Sequence, residues 1–245
     1  MTEFWVGTSW KMTKTLAQAR EFARGVGARA DWPVRPFVVP PATALAAVAA
    51  ELGPASPVRV GAQDAHWEDA GAWTGEVSVP QVADAGATML EIGHSERREY
   101  FGETDERVNL KVLAAVRHGL LPLICVGESA DVRRTGGAAE FVADQVRAAL
   151  AAVPDAAPVL IAYEPIWAIG AAGRPARPEA VAEMAVVIAA AAGTRATVLY
   201  GGSVNLGNAV ELARVPGIGG LFIGRAAWEV SDYLSIVDAV GDLVG

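Results

Sequence analysis

The sequence contains one cysteine, Cys125, and no uninterrupted apolar run of the ~20 residues that a membrane span needs. A single cysteine cannot form an internal disulfide or supply a cysteine-rich metal site. The N-terminal residues lack the basic and then apolar pattern of a secretory signal, so we expect a cytoplasmic protein without a membrane partner. The formal net charge of −8 argues against a nucleic-acid partner, because nucleic-acid phosphates attract basic surfaces.

Short, mostly β-branched apolar runs recur along the chain, as is typical of strands in a parallel sheet. Strands are predicted at residues 4–7, 37–39, 58–62, 88–92, 121–126, 159–163, 197–200 and 221–223. Ala-rich segments with helical spacing lie between them, most clearly at 15–28, 104–118, 138–152 and 179–192, with a shorter one at 42–52.

Eight strands that alternate with helices in 245 residues, without a linker-like break, predict an α/β fold. We expect a single-domain (β/α)₈ barrel over residues 1–245. A doubly wound open sheet is the alternative, but no Gly-x-Gly-x-x-Gly follows the first strand. The third connection, residues 63–78, is predicted to be a long loop, and loops of that length in compact domains are usually functional.

A glutamate stands at the end of the sixth predicted strand. Glu164 follows the buried run 159–163, and Pro165 then ends the strand because it lacks a backbone donor. A carboxylate is costly to desolvate there, which suits a general base. The small residues at 168–173 are typical of a closing loop. Taken alone, the pattern fits equally well a strand-to-helix connection in which Glu164 merely caps or pairs.

Two more chemically capable residues follow strand ends, where a barrel enzyme has its active site. Lys11 comes after the first strand between Trp10 and Met12, which favours a fixed cation facing an anionic ligand. His94 comes after the fourth strand and before a charged, potentially helical stretch. A helix N-terminus there would keep its imidazole neutral.

Gly-rich turns follow the last two predicted strands, at residues 200–205 and 223–227. Such turns, when they lead into helices, expose backbone N–H groups to a phosphate. On the seventh and eighth strands of a barrel they predict a phosphate site.

Several motifs resemble those of the triosephosphate isomerase family. Residues 162–170, Ala-Tyr-Glu-Pro-Ile-Trp-Ala-Ile-Gly, and 93–98, Gly-His-Ser-Glu-Arg-Arg, match its two most specific signatures. Shorter motifs match at 10–12, 61–63 and 74–76. The resemblance covers essentially the full length of the chain. It implies an isomerase that acts on a small phosphorylated sugar and needs no organic cofactor and no metal.

The resemblance also implies a role for each catalytic residue. Glu164 would be the base that moves a proton between adjacent carbons of the substrate. His94, as a neutral imidazole, would polarise the carbonyl and move protons between the two enediol oxygens; this family is itself the standard example of that pairing. Lys11 would bind the anion and stabilise developing negative charge. Glu96, next to Ser95, would support the site by holding Lys11 or a neighbouring cation.

For the rest of the site the resemblance implies a phosphate cradle and a closing loop. Substrate-binding residues would be Ser9, Gly170, Ala171, Ala172, Gly173, Gly202, Ser203, Gly224 and Arg225. Closure of the loop around 171–173 would exclude water and suppress phosphate elimination. In the family the long third loop docks into a neighbouring subunit, which implies a homodimer with Thr74 as a contact.

The chain departs from the family pattern near the substrate. The family usually has Gly-Asn-Trp-Lys-Met after the first strand, and here Ser9 stands in place of the Asn. The usual loop Ala-Ile-Gly-Thr-Gly-Lys is replaced by Ala168-Ile-Gly-Ala-Ala-Gly-Arg174. Arg225 replaces the second Gly of the last turn. Ser9 would leave room, or space for a water, near the carbonyl. Arg225 either grips the phosphate or points outward into an ion pair.

These departures resemble the family branch that isomerises four-carbon erythrulose phosphates, and we favour that substrate. The alternative is triosephosphate isomerase proper, a reaction of glycolysis and gluconeogenesis, because Glu164, His94 and Lys11 also suit the triose. The third hypothesis is a barrel that binds phosphate without turnover. It gives the full Lys–His–Glu set no function.

Overall fold

The computed structural model describes residues 4–170 and 173–244. Eight parallel strands form a closed barrel in chain order, and β8 pairs with β1. The predicted single α/β barrel domain is therefore confirmed. The strands are β1 (Trp5–Ser9), β2 (Arg35–Val39), β3 (Arg59–Ala62), β4 (Met89–Ile92), β5 (Leu121–Val126), β6 (Val159–Tyr163), β7 (Ala196–Tyr200) and β8 (Gly220–Ile223).

Helices surround the barrel. They are α1 (Leu16–Gly27), α2 (Ala42–Leu52), α3 (Val79–Asp84), α4 (Ser95–Phe101), α5 (Asp105–Arg117), α6 (Ala130–Arg134), α7 (Ala138–Ala149), α8 (Pro178–Ala192), α9 (Ala209–Ala213) and α10 (Val230–Val244). Short 3₁₀ segments lie at Ile166–Ala168, Gly193–Arg195 and Arg225–Ala227. Of the helices in the described ranges, none has the length and apolar character to cross a bilayer.

Side chains alternate between the two faces of each strand, and both faces are buried. The inward-facing residues form one apolar cluster: Trp5, Phe37, Val39, Met89, Leu123, Cys125, Leu160, Ala162, Leu199 and Phe222. Outward-facing residues such as Val6, Leu90 and Ile161 join a larger cluster with the helices. Burial on both faces explains why the strands are nearly continuous apolar runs in the sequence.

The loop at 63–78 is ordered by its own aromatic residues. The His66 ring stacks on Trp67, with centroids 4.1 Å apart, and contacts Trp73 at 4.4 Å. The loop ends at Ser78, whose hydroxyl accepts from the backbone N–H of Gln81 and caps α3. The predicted long third connection is thus a compact loop followed by a short helix.

Candidate active site

The carboxyl ends of the strands surround a pocket of about 550 Å³. It is lined by Ser9, Lys11, His94, Glu96, Glu164, Ile169, Gly170, Gly201, Gly202, Ser203, Val204, Asn205, Phe222, Ile223, Gly224, Arg225, Ala226 and Trp228. Most of the site residues expected from the sequence are therefore brought together at one mouth of the barrel, because parallel strands all end on the same side.

Lys11 is aimed into the pocket by an unusual backbone conformation. Its φ is +51°, in the left-handed region, and its carbonyl accepts a hydrogen bond of 2.9 Å from Gln63 Nε2. Lys11 Nζ donates to Glu96 Oε1 at 2.6 Å. Burial opposes charge on Lys11, but the hydrogen bond to Glu96 and the negative charges of Glu96, Glu164 and Glu91 together raise its pKa. Lys11 is therefore a stable cation.

His94 is the N-cap of α4, which begins at Ser95. Its Nδ1 accepts the backbone N–H of Glu96 at 3.1 Å. A ring nitrogen that accepts carries no hydrogen, so the neutral ring has its hydrogen on Nε2. Nε2 lies 3.5 Å from Glu164 Oε2. The ring thus presents one N–H donor to the pocket.

Glu164 is held by its neighbours on both sides. Its backbone N–H donates to Val126 O at 2.8 Å, and its carbonyl packs directly on Gly127, where an added Cβ would lie 2.0 Å from that oxygen. A Cβ on Gly201 would lie 2.7 Å from the Glu164 Cγ. The residue is 4% exposed, and Oε2 has no hydrogen-bond partner within residues 4–170 and 173–244. A desolvated oxygen without a partner can accept a proton from a bound molecule.

Glu91, which the sequence analysis did not identify, interacts electrostatically with both His94 and Glu164. It faces the barrel interior from β4 and is 3% exposed, and its Oε2 accepts a hydrogen bond of 2.9 Å from Ser9 Oγ. Burial raises the pKa of Glu91 to about 7, and the charge of Glu164 adds to the rise. The only sequence signal was a charged residue inside an otherwise apolar strand.

The opposite wall of the pocket consists of the turns after β7 and β8. A Cβ on Gly202 would lie 2.2 Å from Tyr200 Oη, so only glycine fits there without a shift. Ser203 Oγ donates to Ala168 O at 2.6 Å and ties this turn to the segment after Glu164. Gly224 lines the pocket.

Arg225 also lines the pocket, and its side chain is exposed. It makes no ion pair with any residue that the structure describes. Gly170 lines the pocket with a φ of +79°, and the Gly173 N–H donates to Gly170 O at 3.3 Å. The predicted binding residues Ala171 and Ala172 lie outside the described residues.

A second buried carboxylate, Glu128, was also missed. It accepts hydrogen bonds from Tyr163 Oη at 3.1 Å and Trp167 Nε1 at 2.8 Å. Arg133 Nη1 lies 3.3 Å away, and the Glu128 carbonyl accepts from Ile166 N at 3.0 Å. Glu128 therefore fixes the first residues after Glu164.

Thr74 lies away from this pocket, in the loop at 63–78. It is exposed beside Trp73, whose side chain is 50% exposed. Among residues 4–170 and 173–244, no three His, Cys, Asp or Glu side chains are grouped in a way that could hold a metal ion.

Comparison with known proteins agrees with this geometry. The model of the triosephosphate isomerase family matches residues 4–240. An L-erythrulose-1-phosphate isomerase of Mycolicibacterium smegmatis is 52% identical over 243 residues, covering 96% of this chain and 92% of that protein. The protein of the same name from Brucella abortus is 52% identical over 247 residues, covering 97% and 96%. That of Rhizobium rhizogenes is 52% identical over 244 residues, covering 96% and 93%. The chain is therefore an isomerase that belongs to the triosephosphate isomerase family.

Proposed function

We propose that the protein isomerises an erythrulose phosphate by moving the carbonyl between adjacent carbons through an enediol. The observation that carries this choice of substrate is the identity of 52%, over nearly the whole chain, to proteins named L-erythrulose-1-phosphate isomerase. The departures at Ser9 and Arg225 support it, because both residues line the pocket.

Glu164 is the base. It removes a proton from the carbon next to the carbonyl and returns it to the former carbonyl carbon, which moves the carbonyl by one position. Its low exposure, and the lack of a hydrogen-bond partner for Oε2 in the part of the chain that the structure describes, support this role. The packing of Gly127 and Gly201 against Glu164 keeps the carboxylate in place between the two transfers.

His94 and Lys11 act on the oxygens. The Nε2–H of His94 donates to the carbonyl oxygen and moves protons between the two enediol oxygens. The Nδ1 contact with the backbone of α4 supports a neutral ring. The Lys11 ammonium stabilises the negative charge that develops on the oxygens, and Glu96 with Ser95 supports it from the first turn of α4.

The phosphate occupies the wall formed by the turns after β7 and β8. Gly202 and Gly224 let the backbone approach closely, Ser203 supplies a hydroxyl and Arg225 a cation. The loop through Gly170, Ala171, Ala172 and Gly173 closes over the substrate, as the resemblance of its flanking residues to the family implies. Closure keeps water from the enediolate and suppresses loss of phosphate.

The protein is a cytoplasmic homodimer in this proposal. The loop at 63–78 docks into the partner through Thr74, and the half-exposed apolar surface of Trp73 supports an interface there. Light scattering at micromolar concentration should give twice the chain mass of 25.4 kDa. Thr74→Arg should shift the mass toward that of one chain; a dimer that persists in this variant contradicts the assigned contact.

Steady-state kinetics of the purified protein test the reaction. The kcat/KM for L-erythrulose 1-phosphate should exceed that for glyceraldehyde 3-phosphate by orders of magnitude. Glu164→Gln should lower kcat by about 10³-fold and leave binding of an unreactive phosphosugar analogue intact. A triose value approaching about 10⁸ M⁻¹s⁻¹ would instead make the protein a triosephosphate isomerase proper. If the parent protein and Glu164→Gln bind the phosphosugar analogue equally well and the parent turns over neither substrate, the protein is instead a phosphate-binding barrel.

A further inference from the structure

Directly behind the pocket-lining residue Ser9 lies a carboxyl group, Glu91, that the proposed chemistry does not use. Glu91 is inward-facing on β4, where its same-face neighbours Met89, Leu123 and Cys125 are apolar or weakly polar. A buried carboxyl in such surroundings costs stability that an apolar residue of similar size would not. A perturbed ionisable group beneath a cleft is a candidate for function.

The contact between Glu91 and Ser9 determines what Ser9 offers to a ligand. A serine hydroxyl has one hydrogen and two lone pairs. Ser9 Oγ donates that hydrogen to Glu91 Oε2 at 2.9 Å, so the lone pairs are what it can present to the pocket that it lines. An asparagine at this position would offer N–H donors as well. The Ser9–Glu91 pair therefore makes this point of the pocket an acceptor of hydrogen bonds.

An acceptor at this place suits a hydroxyl that does not react. The two reacting oxygens of an enediol carry negative charge in turn and need donors, which His94 and Lys11 supply. A four-carbon ketose phosphate has one further hydroxyl, on the terminal carbon beyond the reacting pair, and a triose phosphate has no counterpart. The other described hydroxyl of the pocket, Ser203 Oγ, donates to Ala168 O and lies in the turn after β7 that the proposed function assigns to the phosphate.

We propose that Ser9 and Glu91 form a subsite for the terminal hydroxymethyl group of a four-carbon substrate. The substrate hydroxyl donates to Ser9 Oγ, which donates to Glu91. Ser9 touches the substrate, and Glu91 is a positioning residue that acts through it. The subsite rests on the proposed function for its substrate, but it makes a separate claim: one additional hydroxymethyl group should be bound through Ser9.

Two polyol phosphates test the subsite without turnover, since neither has a carbonyl. Erythritol 4-phosphate contains one hydroxymethyl unit more than glycerol 3-phosphate, and calorimetry gives both dissociation constants. The parent protein should bind the four-carbon compound about tenfold more tightly. Ser9→Ala should remove this preference and leave the affinity for glycerol 3-phosphate within about threefold. Thr8→Ala is the matched control, because it removes the adjacent buried hydroxyl on the opposite face of β1 and should keep the preference.

Glu91→Leu tests the positioning role. Without the carboxyl, the Ser9 hydrogen is free to turn toward the pocket, so the preference for erythritol 4-phosphate should disappear although Ser9 remains. With L-erythrulose 1-phosphate as substrate, KM should rise about tenfold and kcat should change less than threefold. If Glu91→Leu instead lowers kcat equally for three-carbon and four-carbon substrates, Glu91 supports the whole active site. That result would overturn the proposed subsite.

The pH dependence of the ratio between the two polyol phosphate affinities distinguishes positioning by Glu91 from a purely structural role, because a structural role would leave this ratio unchanged. Because burial raises the pKa of Glu91 to about 7, its protonation below that pH weakens it as an acceptor for Ser9. The affinity ratio of the two polyol phosphates should therefore shrink from pH 8 to pH 6 in the parent and stay flat in Glu91→Leu. Other ionisable groups around Glu91 are Lys11, His94, Cys125 and Glu164. They, and the ligand phosphate, affect both compounds and cancel in the ratio.

The two proposals fail in distinguishable ways. A parent protein that prefers erythritol 4-phosphate through Ser9, but does not isomerise the four-carbon ketose, refutes the proposed substrate and keeps the subsite. A protein that isomerises it, with the same affinity ratio in the parent and in Ser9→Ala, refutes the subsite and keeps the proposed function.

Discussion

Replacing Glu91 by Gln should change how the stability of the protein depends on pH. In the folded protein burial raises the pKa of Glu91 from its ordinary value of 4.5 to about 7. The folded state therefore binds this proton more tightly than the unfolded state does. The stability that the proton contributes is fully present below about pH 4.5 and is lost as the pH rises through about 7.

The size of the effect follows from the shift. At about 1.4 kcal/mol per pKa unit, the shift corresponds to about 3 kcal/mol, most of which falls between about pH 5 and pH 8.5. Glutamine does not titrate, so the variant lacks this contribution. Relative to Glu91→Gln, the parent should lose roughly 2 to 3 kcal/mol of unfolding free energy over this interval.

Urea unfolding of the parent and of Glu91→Gln at the two ends of this interval, about pH 5 and about pH 8.5, measures the difference in unfolding free energy. One fixed protein concentration is used throughout. A constant cost of the glutamine amide, such as a buried N–H without a partner, is the same at both pH values and cancels. Glu91→Leu should show the same loss of pH dependence. A parent-minus-variant difference that stays within about 0.5 kcal/mol between the two pH values would refute the reasoning, because a titrating buried carboxyl requires a larger change.

Two other substitutions test the support of Glu164 and an ion-pair cluster outside the pocket. Gly127→Ala places a methyl group 2.0 Å from the Glu164 carbonyl oxygen, so Glu164 must shift; kcat should fall about 100-fold with little change in KM, and an unchanged kcat would contradict this positioning. Lys111 is 4% exposed, with Nζ 2.6 Å from Asp64 Oδ1 and in contact with Glu103. Lys111→Met should cost about 3 kcal/mol in urea unfolding because it leaves Arg97 as the remaining ion-pair partner of both Asp64 and the buried Glu103 among the described residues, and a loss below about 1 kcal/mol would contradict it.

The barrel was predictable because its strands are apolar on both faces. The strands β5 and β6 have the predicted bounds, since their residues form continuous apolar runs. The first strand was predicted to end at residue 7, which is wrong by two residues. Thr8 and Ser9 look polar in sequence but continue the ladder opposite Val38 and Val39. That register depends on the neighbouring strand, which a local pattern does not contain. The last helix, α10, was not predicted.

The candidate site was predictable where position along the fold implies position in space. Lys11, His94 and Glu164 all follow strands, so a barrel brings them to one mouth. Glu91 was not identified because its partner Ser9 lies 82 positions earlier in the chain. Only the closed barrel shows that the two side chains meet across its interior. Its charge within an apolar strand was the available signal.

The left-handed backbone at Lys11 has a consequence for how the protein responds to selection. A residue with a Cβ at a φ of +51° is less stable there than glycine, by about 1 kcal/mol. A screen of a variant library for heat resistance alone should favour glycine at position 11. The selected proteins should be more heat-resistant and inactive. Screens that demand turnover should retain the lysine. A disagreement between the two screens at Lys11 would then show that stability and catalysis conflict at this position.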